Sequence, residues 1–162
     1  MKKNLLALLI LIIILVSIAS PAFGVDNKKE DWTFIFYMGG DGQPDYISKQ
    51  IKKDIEDIIE ENTPQNIELI ILKDEKGDNN TELLEIKNKG ISIYPLSTIN
   101  SSWNKELNLG NKYILKEFVN WSINQYSSSY YFLNLWGHGK GFKGMPLEDQ
   151  DHLTLNDINY AL

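Results

Sequence analysis

A histidine between two glycines is the group in this sequence best suited to chemistry. His138 follows the apolar run "YYFLNLWG" and precedes Gly139. An imidazole changes its protonation state near neutral pH and can act as general acid and base. A glycine permits a sharp turn, and its amide can point at a developing oxyanion. We therefore select His138 and Gly139 as candidate site residues; the simpler alternative is a turn that caps a strand.

The apolar run before His138 predicts the strand that positions it. Residues 130–136 are apolar on both faces apart from Asn134, a pattern typical of a strand covered by helices on both sides of its sheet. Ligands of open α/β sheets bind beyond the carboxyl ends of the strands. We expect this strand to be central and His138 to be partly exposed in the crevice at its end.

The first half of the chain predicts a strand, a helix and a parallel strand. Residues 32–38 and 67–73 are almost continuously apolar, as in buried strands. Between them, isoleucines recur three or four residues apart and form one apolar helical stripe, at Ile47, Ile51, Ile55, Ile58 and Ile59. A strand, a crossover helix and a strand form a βαβ unit.

The remaining elements complete an α/β pattern. A hairpin is predicted around the "NKG" turn at residues 88–90. Residues 97–111 are loop-like, with Trp103 and Leu107 as anchors, and residues 111–126 form a second amphipathic helix. Thr154, with Asp157 three residues later, opens a final helix. These elements predict a three-layer α/β/α sandwich with a mostly parallel sheet, incomplete at its C-terminus.

Composition and charge limit the class of protein. The 162-residue chain is 43% hydrophobic and 11% aromatic, as expected for one globular domain. Residues 1–24 have the layout of a signal peptide, with two lysines, an apolar run and then small residues. Residues 25–31 read as a linker and residues 32–162 as the domain, so we expect a mature start at Val25 and export to the cell envelope or medium. The alternative is an uncleaved membrane anchor.

The predicted mature part is acidic. It carries 14 basic and 22 acidic side chains, hence a net charge of −8, which argues against nucleic-acid binding. Glycines follow the first strand, but they lack the dinucleotide-binding spacing. An acidic loop could hold calcium through oxygen ligands, although a solvated loop is the simpler interpretation; its residues are Glu148, Asp149, Asp151 and His152. No cofactor is firmly indicated, and the two histidines give only thin support for metal-dependent hydrolysis.

Three segments resemble the clostripain family of cysteine peptidases, which belongs to the caspase-like clan. They are "WTFIFYMGGDGQPD", "ELNLGNKYILKEFVNWSINQYSSSYYFLNLWGHGKGF" and "LTLNDINYAL", and the resemblance extends from Trp32 to Leu162. It implies a caspase-like fold and a peptide or protein substrate cleaved after basic residues. It also implies that His138 is the catalytic acid/base and that the Gly139 amide contributes to the oxyanion hole.

The sequence departs from the family pattern at the nucleophile. The family cysteine follows the next strand, whereas this sequence contains no cysteine. We expect it roughly 10–25 residues beyond Leu162, from ordinary strand and loop lengths. The chain is therefore a fragment, or a light chain that needs a heavy-chain segment bearing the cysteine, or a pseudopeptidase. The last would be a non-catalytic, envelope-associated α/β binding domain. In the first two cases we expect an open edge beside residues 130–136 and self-association.

Overall fold

The secondary structure follows the predicted alternation of strands and helices. The structure is a computed structural model that describes residues 30–41, 44–61, 63–139, 144–146 and 151–162. The predicted signal peptide lies outside these residues. In chain order the elements are β1 (Glu30–Gly39), α1 (Asp45–Glu60), β2 (Ile67–Asp74), β3 (Glu82–Lys87), β4 (Gly90–Tyr94), a 3-10 turn (Leu96–Thr98), α2 (Lys112–Gln125), β5 (Ser128–Trp136), β6 (Met145–Pro146), β7 (His152–Leu153) and α3 (Leu155–Ala161).

Five strands form one mixed sheet in the order β4–β3–β2–β1–β5. β1 pairs in parallel with both neighbours, and Trp32 lies opposite Ile67 on β2 and opposite Tyr130 on β5. β3 and β4 add in antiparallel fashion as the predicted hairpin. The strands β2, β1 and β5 are thus parallel to one another, whereas β3 pairs antiparallel with β2 and β4 pairs antiparallel with β3. The prediction that the strand before His138 is central is wrong for the described residues, because β5 is an edge strand and β1 is its one neighbour there.

Helix α1 covers one face of the sheet. The predicted isoleucine stripe is confirmed, since Ile47, Ile51 and Ile55 are all buried. They face a cluster of sheet residues that includes Met38 and Ile71. Burial of apolar side chains at this spacing is what stabilises an amphipathic helix in a domain.

Helices α2 and α3 cover the opposite face. Leu115, Phe118 and Val119 of α2 are buried against sheet residues such as Tyr37 and Leu72. Gln125, the last residue of α2, is exposed. With helices on both faces, the predicted three-layer sandwich is confirmed.

The β3–β4 turn and the loop before α2 contain residues suited to their conformation. The β3–β4 turn consists of Asn88 and Lys89, which both have a positive φ (50° and 64°). That is the geometry of a two-residue hairpin turn whose twist matches the strands, and Gly90 already belongs to β4. In the long loop before α2, Leu107 and Leu109 are buried and anchor the loop, while Trp103 packs at the periphery of the core.

Helix α3 begins with the predicted capping box. The Thr154 hydroxyl accepts a hydrogen bond from the Asp157 amide, and the Asp157 carboxylate accepts one from the Thr154 amide. Lys112 of α2 forms an ion pair with Asp157 across the helix interface. Within the described residues, no helix has the length and apolar character needed to span a membrane.

Candidate functional site

The candidate site lies at the carboxyl edge of the three parallel strands. β2 ends at Asp74, β1 ends at Gly39 just before Asp41, and β5 ends two residues before His138. Because these strands are neighbours and run in the same direction, the groups that follow them share one edge of the sheet. This is where α/β proteins of this architecture place ligands.

His138 is exposed at this edge, as the sequence predicts. Its ring centroid lies 6.5 Å from that of Tyr46, with the ring planes at 72°. Tyr46 belongs to the first turn of α1, so the imidazole lies over the start of that helix. The ring therefore remains accessible from solvent at the sheet edge.

Gly139 is exposed beside the histidine. A Cβ atom built there would meet nothing within 4 Å, and Gly139 is not among the glycines with a positive φ. Neither crowding nor a left-handed backbone therefore requires glycine at this position. What the glycine provides is open space next to its own amide.

Gly40, directly after β1, has a packing role. A Cβ on Gly40 would lie 2.8 Å from Ile51 Cδ1 and 3.2 Å from the Asp74 carbonyl oxygen. The Gly40 amide also donates a hydrogen bond to that carbonyl, at 2.8 Å. A side chain here would separate β1 from α1 and β2, so close approach explains this glycine without a nucleotide.

Three carboxylates meet near the ends of β1 and β2. Asp41, Asp74 and Glu106 each place one oxygen within 4.8 Å of the others. Asp74 is completely buried. Burial raises the pKa of the Asp74 carboxyl to about 7. The hydrogen bond from Thr81 lowers this pKa, whereas the charges of Glu106 and Asp41 raise it further.

Sequence reasoning did not identify this carboxylate cluster. In the sequence, Asp41 is typical of a turn residue and Asp74 of the start of a solvated turn. Of the predicted acidic loop, Glu148 and Asp149 lie outside the described residues. Asp151 is exposed, and its carboxylate accepts hydrogen bonds from the Asn108 side chain and the His152 amide. The one signal available was that Asp41 lies two residues beyond β1 and that Asp74 ends β2, its parallel neighbour.

Within the described part of the chain, no strand pairs with the outer edge of β5, and the aromatic side chains of this strand are exposed. Tyr130, Tyr131 and Phe132 are 59%, 38% and 45% exposed. The Trp32 ring stacks on Tyr130 with centroids 4.9 Å apart, and Phe34 contacts Phe132 at 5.3 Å. This agrees with the open edge expected beside residues 130–136.

The serines before β5 are distant from the histidine. Ser128 begins β5 and lies buried at the end opposite to His138. Its hydroxyl is 2.6 Å from that of Thr33. The Ser128 hydroxyl is therefore paired within the sheet and does not approach the imidazole.

Comparison with known proteins identifies the family. A family model described as the clostripain family, peptidase C11, matches residues 36–162. No sequence match was found among the curated proteins. A secreted C11 cysteine protease from Bacteroides thetaiotaomicron, solved with an irreversible peptide inhibitor, superposes with a TM-score of 0.63 and 16% identity. The alignment covers 81% of this chain and 38% of that protease.

A second solved structure shares the fold. It is a B. fragilis cysteine protease with a TM-score of 0.54 and 19% identity, and the alignment covers 72% of this chain and 95% of that chain. At 16% and 19% identity, the structural likeness shows a shared fold. The family model, in contrast, matches most of the sequence. The α/β/α sandwich is accordingly the caspase-like fold of these proteases, and the chain belongs to the clostripain family.

Proposed function

We propose that this chain is the histidine-bearing part of an exported, clostripain-like cysteine endopeptidase. The observation that carries the proposal is the exposed imidazole of His138 at the carboxyl edge of the sheet, in a chain whose residues 36–162 match the family. Cysteine is absent from the sequence, so the nucleophile is supplied by a separate segment. That segment adds a strand to the open edge of β5 and brings its thiol to His138.

The proposed reaction uses groups at this edge. His138 accepts the proton of the incoming thiol, and the thiolate attacks the carbonyl carbon of the scissile peptide bond. The Gly139 amide donates a hydrogen bond to the oxyanion that forms. His138 then donates its proton to the departing amine, which leaves an acyl-enzyme. In a second round, His138 activates water and the thiol is released with the acid product.

The two solved relatives support a partner segment. The alignment covers 95% of the B. fragilis chain but only 38% of the B. thetaiotaomicron protease. The same fold thus occurs both as a chain of comparable length and as part of a longer one. A light chain that associates with a cysteine-bearing segment, or a precursor containing both, fits the exposed aromatic residues along β5.

The deciding experiment restores the missing nucleophile. The DNA beyond the Leu162 codon is sequenced, the encoded downstream segment is co-expressed with this chain, and the complex is assayed on lysyl and arginyl peptides. We expect cleavage after the basic residue, and a loss of kcat/KM of about 10²–10⁴-fold in His138→Ala. His152→Ala is the matched control, because His152 is the other of the two histidines in the sequence and is exposed in β7.

Each outcome has a definite meaning. Activity that disappears in His138→Ala and in the downstream Cys→Ala variant, but persists in His152→Ala, supports the proposed dyad. The absence of a downstream cysteine, or a complex inert toward all basic peptides, would replace the proposal with a non-catalytic binding domain. Export is tested separately by N-terminal sequencing of secreted material, where Val25 is expected as the first residue.

A further inference from the structure

The imidazole of His138 receives no support from its neighbours in the sequence. Gly137 and Gly139 flank it, and a Cβ atom on Gly139 would meet nothing within 4 Å. In the part of the chain that the structure describes, His138 also forms no hydrogen bond and no ion pair. A base in a catalytic dyad needs a defined orientation, which a third group commonly provides. Within the described residues, that orientation can come only from packing.

The Tyr46 ring provides this packing. Its centroid lies 6.5 Å from that of the His138 ring, and the two planes are at 72°. This is the edge-to-face arrangement that aromatic pairs prefer. Among the described residues, Tyr46 is the one aromatic partner of His138. Packing of this kind restricts the plane of an imidazole without an acceptor or donor at its nitrogens.

The contact uses the ring of Tyr46 and not its hydroxyl. Tyr46 is 56% exposed, and its hydroxyl forms no hydrogen bond within the described residues. A side chain that leaves more than half of its surface in water contributes little to a core. The contact with His138 therefore explains this exposed aromatic residue better than the packing of α1 does.

The first turn of α1, which carries Tyr46, is anchored on both sides of that residue. The Asp45 carboxylate forms an ion pair with Lys76 at 2.6 Å, and the Ser48 hydroxyl accepts a hydrogen bond from the Lys76 amide at 2.8 Å. Lys76 belongs to the β2–β3 loop. On the inner side of the same turn, Ile47 is buried in the core. These contacts give the tyrosine ring a defined position.

We propose that Tyr46 is a positioning residue for His138. Its ring holds the imidazole in one orientation at the sheet edge, where the imidazole accepts the proton of the incoming thiol. The inference rests on the proposed function, because it assigns a role within that reaction. Aromatic pairs of this kind are individually weak, so the loss of one should lower the rate by roughly 2–10-fold.

The first test uses the chain alone and needs no activity. The sequence contains two histidines, so comparison with His152→Ala identifies His138 in NMR spectra of the full chain with ¹³C-labelled histidine. We expect cross-peaks between the ring protons of Tyr46 and those of His138. Tyr46→Leu should remove them and shift the His138 ring resonances, because the ring current of the tyrosine is lost. Tyr46→Phe should retain the contact.

The second test uses the complex with the cysteine-bearing segment. Tyr46→Leu should lower kcat by roughly 2–10-fold with little change in KM, since the orientation of a proton-transfer group acts in the transition state. Tyr46→Phe should remain close to the wild type, because it keeps the ring. Tyr113→Leu is the matched control. Tyr113 also lies in the first turn of its helix, is 55% exposed and packs edge-to-face, but on Tyr160.

The outcomes separate this inference from the proposed function. Missing cross-peaks, equal effects of Tyr46→Leu and Tyr113→Leu on kcat, or a Tyr46→Phe variant as slow as Tyr46→Leu would overturn it. So would a Tm of Tyr46→Leu far below that of Tyr113→Leu, because the slower reaction would then reflect lost structure. An inert wild-type complex whose chain shows the cross-peaks would refute the peptidase proposal and support the orienting contact.

Discussion

The hydroxyl groups of Thr33 and Ser128 lie 2.6 Å apart, buried between two strands that are 95 residues apart in the sequence. Thr33 is on β1 and Ser128 begins β5. The pair satisfies two polar groups that the sheet would otherwise bury without partners. It also fixes the register of β5, because a shift by one residue would turn every β5 side chain to the opposite face. The position of His138 at the far end of β5 depends on that register.

Replacing Thr33 with valine should destabilise the domain by about 1–2 kcal/mol. The substitution keeps the shape but leaves the Ser128 hydroxyl buried without its partner. The double variant Thr33→Val/Ser128→Ala should lose less than the sum of the two single variants. Urea denaturation measures all three free energies of unfolding. Thr98→Val, at an exposed threonine, is the control and should change the free energy of unfolding little. If the losses of the two single variants were additive in the double variant, the two hydroxyls would not be coupled.

A charge on the open edge should reduce self-association. Phe132→Lys places an ammonium group on β5, where Phe132 is 45% exposed, and edge lysines oppose strand pairing between chains. Size-exclusion chromatography of the chain alone should show a shift from associated species toward monomer. The matched variant Ile93→Lys lies on the opposite edge strand β4. If Ile93→Lys had the larger effect, β4 and not β5 would be the associating edge.

Loss of the α3 cap should destabilise the protein by about 1 kcal/mol. Thr154→Ala removes the hydroxyl that accepts from the Asp157 amide, and such losses typically cost this much. Thr154→Ser retains the acceptor and should stay near the wild type. Thermal unfolding measures both variants. Equal destabilisation by alanine and serine would indicate that the threonine methyl group matters and the cap does not.

The same cap predicts a loss of stability in acid. Hydrogen bonds from Thr154 and then Lys112 lower the pKa of the Asp157 carboxyl from 3.8 to about 2. Because the folded-state pKa is below the unfolded value, the contribution is complete above about pH 4 and is lost as the pH falls through about 2. The difference in Tm between the wild type and Asp157→Asn should thus be constant from pH 7 to pH 4 and shrink below pH 4. A constant difference down to pH 2 would contradict the lowered pKa.

The local elements were predictable because their signals are local. The isoleucine stripe of α1, the hairpin at Asn88 and Lys89 and the Thr154 cap each depend on residues within a few positions of one another. The family resemblance was likewise visible in continuous segments. The prediction of helices on both faces, made from the apolar residues 130–136, is confirmed for the sheet as a whole.

Strand order and the carboxylate cluster were not predictable in this way. Residues 130–136 are apolar, and an apolar run is compatible with a central strand as well as with an edge strand. Nothing in these residues distinguishes the two positions. Asp74 and Glu106 are 32 positions apart, and each follows an ordinary polar pattern by itself. Only the fold shows that the first is buried and that the second approaches it.

The pairing of β5 with β1 determines the order in which the domain can form during synthesis. β1, α1, β2, β3 and β4 are all complete by Tyr94, and their pairings join elements that are near in sequence, which favours rapid formation. One side of β1 then remains without a strand until Trp136 has been synthesised. A nascent chain therefore exposes one edge of the apolar strand β1 for the time needed to add about forty residues, on the order of 2–8 s at bacterial or eukaryotic elongation rates. Protection of this edge of β1 during that interval would therefore favour its correct pairing with β5.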